Sequence, residues 1–325
     1  MEQVSKKRLG LYAGRASRPL AQEIARKLDE ELGEVKLLEF ASGETYCRFE
    51  DSIRDTDVFI ISTHCEPVND TIMEQLIMID AAKRASARRI VAVCPYFGYA
   101  RQDRKARPRE PITAKLIADL LQAAGAERMI SVDLHSGQIQ GFFDTPVDHL
   151  TAMPVLEEYV HNELINMQDV VIVAPDAGRV KVAERFAQHI GADLAFAHKR
   201  RSKDVANTTE TSEIIGEVDG KHCVIIDDMI DTAGTVCGAA DLVMDRGATD
   251  VWIMATHGVL SGPAVERLQN SKASRVVLTN SLPIPEHKMI DKIHVLSIAG
   301  VISAAIESVF EGSSVSELFH GENLH

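Results

Sequence analysis

CVIIDDMIDTAGTVCGAADLVMDRG, residues 223–247, reads as a strand, a turn and a helix in one pass. CVIID (223–227) is a continuous apolar run ending in an acid, the pattern of a strand covered on both faces. A small-residue turn follows, and TVCGAADLVMDRG (235–247) has a helical pattern closed by a glycine suited to the position after a helix end. The same rhythm recurs along the chain. VFIIS (58–62), IVAVC (90–94), MISVDL (129–134), VVIVA (170–174), VWIMATH (251–257) and RVVLTN (275–280) are further apolar runs, with AKLIADLLQAAG (114–125) and VKVAERFAQHIG (180–191) as helical stretches between them. Such alternation predicts an α/β protein with parallel sheets and right-handed crossovers. The rhythm occurs once before about residue 150 and again after it, with the helix-like stretch Thr151 to Gln168 between and no repeat in residue identity. Two similar domains, 1–150 and 151–325, are therefore expected, each a central, mostly parallel sheet flanked by helices.

Composition limits what such a protein does. The net charge of −13 over 325 residues opposes general nucleic-acid binding, which needs an electropositive footprint, so any anion site must be a local basic cluster. Five cysteines, at 47, 65, 94, 223 and 237, are odd in number and lack a CxxC pair, which favours reduced, buried thiols over disulfides or a zinc site. MEQVSKKRLGLYAG at the start has no apolar signal core, and no run of eighteen apolar residues exists. A soluble, cytoplasmic protein with no membrane partner is the expectation.

The turn at 231–235 poses a chemical conflict. Thr232, Ala233, Gly234 and Thr235, leading into a helix, offer backbone N–H groups at the positive helix end, which suits a phosphate. Asp227, Asp228 and Asp231 repel one. A ligand with both a phosphate and a vicinal diol, a pentose phosphate, resolves the conflict: the turn takes the phosphate and the acids take the hydroxyls or Mg²⁺. A capped helix start with solvated acids is the competing reading.

VIIDDMIDTAGT (224–235) resembles the phosphoribosyl-pyrophosphate loop shared by phosphoribosyltransferases and ribose-phosphate pyrophosphokinases. CPYFGYARQDRKARPREPITAK (94–115), VDLHSGQIQGFFD (132–144) and APDAGR (174–179) resemble the pyrophosphokinases and not the transferases, and the resemblance runs from Gly14 to about Phe319. It implies two phosphoribosyltransferase-type domains, the first binding ATP and the second ribose 5-phosphate, with the last residues packing back on the first. It also implies transfer of the β,γ-pyrophosphoryl group of ATP to the C1 hydroxyl of ribose 5-phosphate with Mg²⁺ as cofactor.

Site residues follow from the same resemblance. RQDRKARPR (101–109) places five basic side chains in nine positions, which alone suits a solvated loop or a polyphosphate site. The resemblance assigns Arg101, Gln102 and Asp103 to ATP. It assigns Phe40, Ser42 and Glu44, in FASGET (40–45), to adenine gripped from a neighbouring subunit, where Ser42 replaces the usual aspartate or asparagine. His135 and Asp176 are implied to hold Mg²⁺, His135 also steadying the ATP phosphates. A lone histidine at a strand end serves packing or capping as well. Asp176, Ala177, Gly178 and Arg179 form the implied pyrophosphate loop, where Arg179 stands in place of a glycine. Within HKRRSKDVANTTET (198–211), a surface loop on its polarity alone, the resemblance makes Lys199 and Arg201 the transition-state cations of a closing loop. Asp227, Asp228, Asp231, Thr232, Ala233, Gly234 and Thr235 become the ribose 5-phosphate site. Ser313, Ser314 and Ser316 in EGSSVSELF (311–319), with Ser52 and Arg54, become a regulatory site for phosphate or ADP, against a helix-capping reading of the serine run. A homohexamer with subunit-shared ATP sites is implied.

Two rivals remain at this point. A phosphoribosyltransferase needs neither the RQD segment nor a second domain. A non-catalytic regulatory or ligand-sensing protein of the same fold is expected to lose Lys199, Arg201 or the Asp227/Asp228 pair, and all four are present.

Overall fold

A computed structural model of the protein describes residues 7–164, 169–200 and 211–319. The chain divides into two units, one drawn from Met1–Thr151, Ser281–Pro283 and Ser297–His325, the other from Ala152–Asn280 and Ile284–Leu296.

The sheet of the first unit has five parallel strands: β1 (Arg8–Ala13), β4 (Thr56–Ile61), β5 (Arg89–Cys94), β6 (Arg128–Val132) and β7 (Val147–Leu150), in that spatial order. The antiparallel pair β2 (Val35–Glu39) and β3 (Thr45–Phe49) stands apart as a hairpin. Every residue of β4 is buried, the apolar Val58–Ile61 together with the polar Thr56 and Asp57 that precede them. One face of the sheet packs on α2 (Val68–Arg84) and α3 (Thr113–Ala124), with Val58, Ile60, Ile90 and Ala92 meeting Ile72, Ile79, Ile117 and Leu121 in one core. Helix α1 (Arg18–Lys27) lies against β1, and the late helix α8 (Ala299–Glu311) lies against α1 and β7. Ile302, Ile306 and Val309 of α8 are buried, each side chain contributing about 1.5–3 kcal/mol of apolar burial.

The second unit carries a seven-stranded sheet in the order β10-β9-β8-β11-β12-β13-β14. The strands are β8 (Val170–Ala174), β9 (Asp193–Arg200), β10 (Thr211–Ile215), β11 (His222–Ile230), β12 (Asp250–Gly258), β13 (Arg275–Thr279) and β14 (Ile293–Leu296). All neighbours run parallel except β9 and β10. Helices α6 (Gly234–Asp245) and α7 (Ala264–Asn270) cover one face, and α4 (Met153–Glu163) with α5 (Val180–Ile190) cover the other. Gly191 ends α5 at φ 71°, a left-handed conformation that a side chain disfavours.

Several boundaries differ from the sequence reading. MISVDL was expected to be strand throughout, yet β6 stops at Val132 and Asp133 turns at φ 39°. Strands β1, β7, β10 and β14 escaped the apolar-run signal because each lies at a sheet edge, where one neighbour suffices and polar residues are tolerated. All five cysteines are free thiols, as their spacing predicts. Among the described residues no helix is long and apolar enough to cross a membrane.

Asp57 is the charged centre of the first unit. It is fully buried in β4, with Arg88 Nε 2.9 Å from Oδ1, Arg88 NH2 2.5 Å from Oδ2, and Arg89 NH2 2.9 Å from Oδ2. The same Arg89 nitrogen donates to the Val309 carbonyl of α8 at 3.0 Å, so one ion cluster links β4, β5 and the late helix. Removing the carboxylate takes a buried partner from two partly exposed guanidinium groups, and Asp57→Ala is expected to cost about 1–3 kcal/mol of stability in urea unfolding.

Candidate active site

In the second unit the chain leaves β8 for β9 on one side, while β11 pairs β8 on the other. This reversal sends the loops at the carboxyl ends of β8 and β11 in opposite directions and opens a crevice between them. Both acidic motifs sit there. Asp176 follows β8 and is exposed; its Oδ1 accepts the Gly178 N–H at 2.8 Å, closing the short 3₁₀ turn Ala177–Arg179 that starts α5. Arg179, standing where a glycine was expected, gives its guanidinium to the acid pair: Nε is 3.0 Å from Asp227 Oδ1 and NH2 is 2.5 Å from Asp228 Oδ1. The arginine's charge is therefore engaged with Asp227 and Asp228.

Asp227 was expected to end its strand; the strand instead runs on through Asp228 to Ile230. β11 extends to Ile230 because β12 is equally long and keeps pairing with it as far as Ile230 and Gly258. Both acids are largely withdrawn from water, with side chains 14% and 7% exposed, and the Asp228 N–H donates to Asp227 Oδ1 at 2.8 Å. Burial, then the hydrogen-bonded and like-charged Asp228 side chain, push Asp227 up to about 8, against the opposing pull of Arg179.

The turn after β11 is the segment expected to take a phosphate. Ala233 takes a left-handed φ of 61°, and α6 begins at Gly234, one residue before the expected start. No side chain caps the helix start, which leaves the N–H groups of its first turn without a side-chain acceptor there. Arg267 NH1 donates to the Thr232 carbonyl at 2.9 Å and brings a cation beside the turn. Ser261 N–H donates to the Asp231 carbonyl at 2.9 Å, tying the turn to the segment after β12.

In the first unit, the basic loop follows β5 and His135 follows the adjacent β6, so both stand at the carboxyl edge of one sheet. Arg101 and Gln102 are exposed and Asp103 half-buried. The Gln102 N–H donates to the Tyr99 carbonyl at 2.8 Å, its Oε1 accepts Thr113 Oγ1 at 2.6 Å, and its carbonyl accepts the Ala114 N–H at 3.2 Å, which ties the loop to the start of α3. His135 is half-buried, and the preceding Leu134 N–H donates to His149 Nε2 at 2.9 Å. Phe40 lies at the tip of the β2–β3 hairpin, 53% exposed, edge-on to Tyr46. Ser42 donates to Glu44 Oε2 at 2.8 Å, so the hydroxyl that replaces an acid or amide is held by its neighbour.

The remaining expected residues are placed as follows. Ser313 sits past the end of α8, its N–H on the Ser308 carbonyl at 2.8 Å, and Ser314 pairs with Ser316 at 3.0 Å, as helix-capping serines do. Ser52 and Arg54 are exposed on the segment between β3 and β4. Lys199 lies in β9, and Arg201 falls outside the described residues.

A model of the N-terminal domain of ribose phosphate pyrophosphokinase matches residues 9–125, and one of the phosphoribosyl synthetase-associated domain matches residues 203–320. The ribose-phosphate pyrophosphokinase of Streptomyces avermitilis is 54% identical over 313 residues, which is 96% of each chain. The chain belongs to the ribose-phosphate pyrophosphokinase family. A ribose-phosphate pyrophosphokinase of Bifidobacterium longum is 53% identical over 96% of this chain and 93% of its own. The crystal structure of phosphoribosylpyrophosphate synthetase from Mycobacterium smegmatis superposes with a TM-score of 0.89 at 49% identity, covering 94% of this chain and all of that one.

Within this pyrophosphokinase architecture two residues stand out that motif reading did not place. Arg267 is one, since it lies 35 residues from the Thr232 carbonyl it holds and belongs to no motif. Arg179 is the other, visible as a departure but not as the partner of Asp227 and Asp228. A raised carboxyl pKa has a definite sign in stability. Above about pH 4 the folded chain keeps a proton on Asp227 that the unfolded chain has lost, so this group makes stability fall as pH rises from about 4 to about 8. Asp227→Asn, which mimics the protonated form, is expected to flatten that slope, so that the melting temperature of the variant gains on the parent between pH 5 and 8 in ligand-free calorimetry.

Proposed function

We propose that the chain transfers the β,γ-pyrophosphoryl group of ATP to the C1 hydroxyl of ribose 5-phosphate, giving 5-phosphoribosyl 1-pyrophosphate and AMP. The observation that carries this reading is the joining, on one strand–turn–helix, of a buried acid pair and an uncapped helix start. Few ligands other than a sugar phosphate use both. Asp227 and Asp228 accept hydrogen bonds from the ribose hydroxyls, and the turn from Asp231 to Thr235 holds the 5-phosphate through its N–H groups, with Arg267 adding positive charge. The loop of Asp176, Ala177, Gly178 and Arg179 receives the transferred pyrophosphate. Arg179 then lies between two sets of negative charge, the acids and the incoming phosphates.

ATP is read by the first domain, through Arg101, Gln102 and Asp103, with Phe40, Ser42 and Glu44 supplied by a neighbouring subunit of a homohexamer. In the reaction the C1 oxygen bonds to the β-phosphorus in line, the bond from that phosphorus to the α,β-bridging oxygen breaks, and AMP leaves with that oxygen. The hydroxyl proton is released. Lys199, Arg201 and His135 neutralise charge that builds on the bridging and equatorial oxygens, so catalysis is mainly positioning and electrostatics.

Mg²⁺ fits the donors present. Among the described residues no cluster of three or more His, Cys, Asp and Glu is placed to hold a metal by itself. Mg²⁺ prefers oxygen ligands and keeps several waters, so the exposed carboxylate of Asp176 would serve it in the second unit, while His135 in the first would act through water or phosphate. Such an ion would supply positive charge that lowers the cost of the crowded phosphate oxygens. Phosphate and ADP are the proposed effectors at Ser52, Arg54, Ser313, Ser314 and Ser316, and the cytoplasm the proposed compartment.

Phosphorus NMR of the protein with ATP, ribose 5-phosphate and Mg²⁺ is expected to show AMP and a sugar-bound diphosphate rising together; ADP in place of AMP refutes the transfer. Lys199→Ala is expected to lower turnover roughly 100-fold or more while ATP affinity stays within about threefold. Asp227→Asn combined with Asp228→Asn is expected to abolish ribose 5-phosphate binding in calorimetry, and unchanged affinity removes the diol assignment.

A further inference from the structure

His64, just past β4, is fully buried although no motif includes it. Its Nδ1 lies 2.9 Å from the backbone nitrogen of Gly98, which can only donate, so Nδ1 carries the lone pair and Nε2 the proton. Nε2 is 2.8 Å from Gln75 Oε1 and donates to it. The Gln75 amide nitrogen in turn donates to the Ile60 carbonyl at 3.3 Å, and its Oε1 also accepts the Cys94 thiol at 3.3 Å. Each donor and acceptor in this chain agrees with the next. The fixed carbonyl of β4 sets the Gln75 amide, the amide sets the histidine tautomer, and the tautomer presents a lone pair to Gly98. Burial holds the ring down to a pKa of about 4, so it stays neutral and able to accept at ordinary pH.

Gly98 opens the loop that reaches Arg101 three residues later. A side chain at Gly98 would meet His64 Cβ at 2.8 Å, so histidine and glycine are fitted to one another. The His64 N–H donates to the Tyr96 carbonyl at 3.1 Å, giving the residue a second hold on the same segment. Beyond Gly98, Tyr99 turns at φ 61° with its hydroxyl 2.5 Å from Asn69 Oδ1, and the Gln102 N–H returns to its carbonyl. A histidine, an amide and a thiol in a core cost desolvation that apolar side chains would avoid, while this set orients one loop N–H.

We propose that His64, held by Gln75, is a positioning residue that sets the path of the loop at 98–103 and thereby aims Arg101 at the ATP phosphates and Gln102 at ATP. This rests on the reading of residues 101–103 as the ATP site.

The test uses His64→Leu, His64→Asn, Gln75→Leu and Arg101→Ala in the full chain, with KM for ATP and for ribose 5-phosphate measured separately and ATP binding measured by calorimetry. His64→Leu is expected to raise KM for ATP roughly tenfold, as loss of one orienting hydrogen bond does, with KM for ribose 5-phosphate within about twofold. His64→Asn, whose Oδ1 can stand where Nδ1 stood, restores ATP affinity, and Gln75→Leu falls between. If Arg101→Ala weakens ATP but the His64 and Gln75 variants all match the parent, the positioning role is overturned. The same follows if His64→Asn is as poor as His64→Leu. Should Arg101→Ala leave ATP affinity unchanged, the loop is not the ATP site and the underlying reading fails instead. If His64→Leu does not fold, Gln75→Leu decides: a rise in KM for ATP alone supports the role, and an equal rise for both substrates overturns it.

Discussion

Two carboxyl groups on consecutive residues, both mostly shielded from water, repel each other strongly unless a cation lies against them or one keeps its proton. Asp227 and Asp228 meet that constraint both ways: Arg179 contacts each of them, and Asp227 holds a proton more tightly than an ordinary aspartate. The arrangement of the second unit follows from it. The arginine must come from the loop after β8, the acids must sit on β11, and these strands must be neighbours at the point where the sheet order reverses. The turn at 231–235 then falls in place, because the strand that carries the acids ends at Ile230 and leads straight into it.

The first unit solves a different problem with similar means. Its basic loop carries five cations and a proline at 108, with another at 111 just beyond it, and has little regular structure of its own, so its path must come from outside. Short hydrogen bonds from Gln102 to α3, from Tyr99 to α2, and from Gly98 to His64 supply it. Glu110 adds a fold at the far end, its Oε2 accepting the N–H groups of Ala106 and Arg107 at 2.8 Å each. Buried polar groups thus serve the loop's shape more than the core's cohesion.

How much of this was legible beforehand depended on the physics each feature uses. Strands covered on both faces announce themselves, and CVIID, IVAVC and VVIVA were each read within a few residues of their observed ends. The strand–turn–helix at 223–247 was legible because a run of small residues separates an apolar strand pattern from a helical one. Edge strands such as VDHL and IHVL were not, since half their residues face away from any core. The partnership of Arg179 with the acids spans 48 residues or more and leaves no periodic trace, so a departure from a motif was visible while its meaning was not. His64 was invisible for a similar reason: a histidine's role is set by which ring nitrogen is taken, and that is decided by Gly98 and Gln75, neither of which is adjacent to it in sequence.

Helix α8 bears on the order in which the chain can reach its native state. The second unit is nearly continuous in sequence, but the first is assembled from its early residues together with a helix that emerges from the ribosome about 150 residues later. Until then the faces of α1 and β7 that α8 covers, and the Arg89 nitrogen that meets the Val309 carbonyl, have no partner from that helix. The later-encoded unit is therefore complete first, and the earlier-encoded one waits with apolar surface open to solvent or to chaperones.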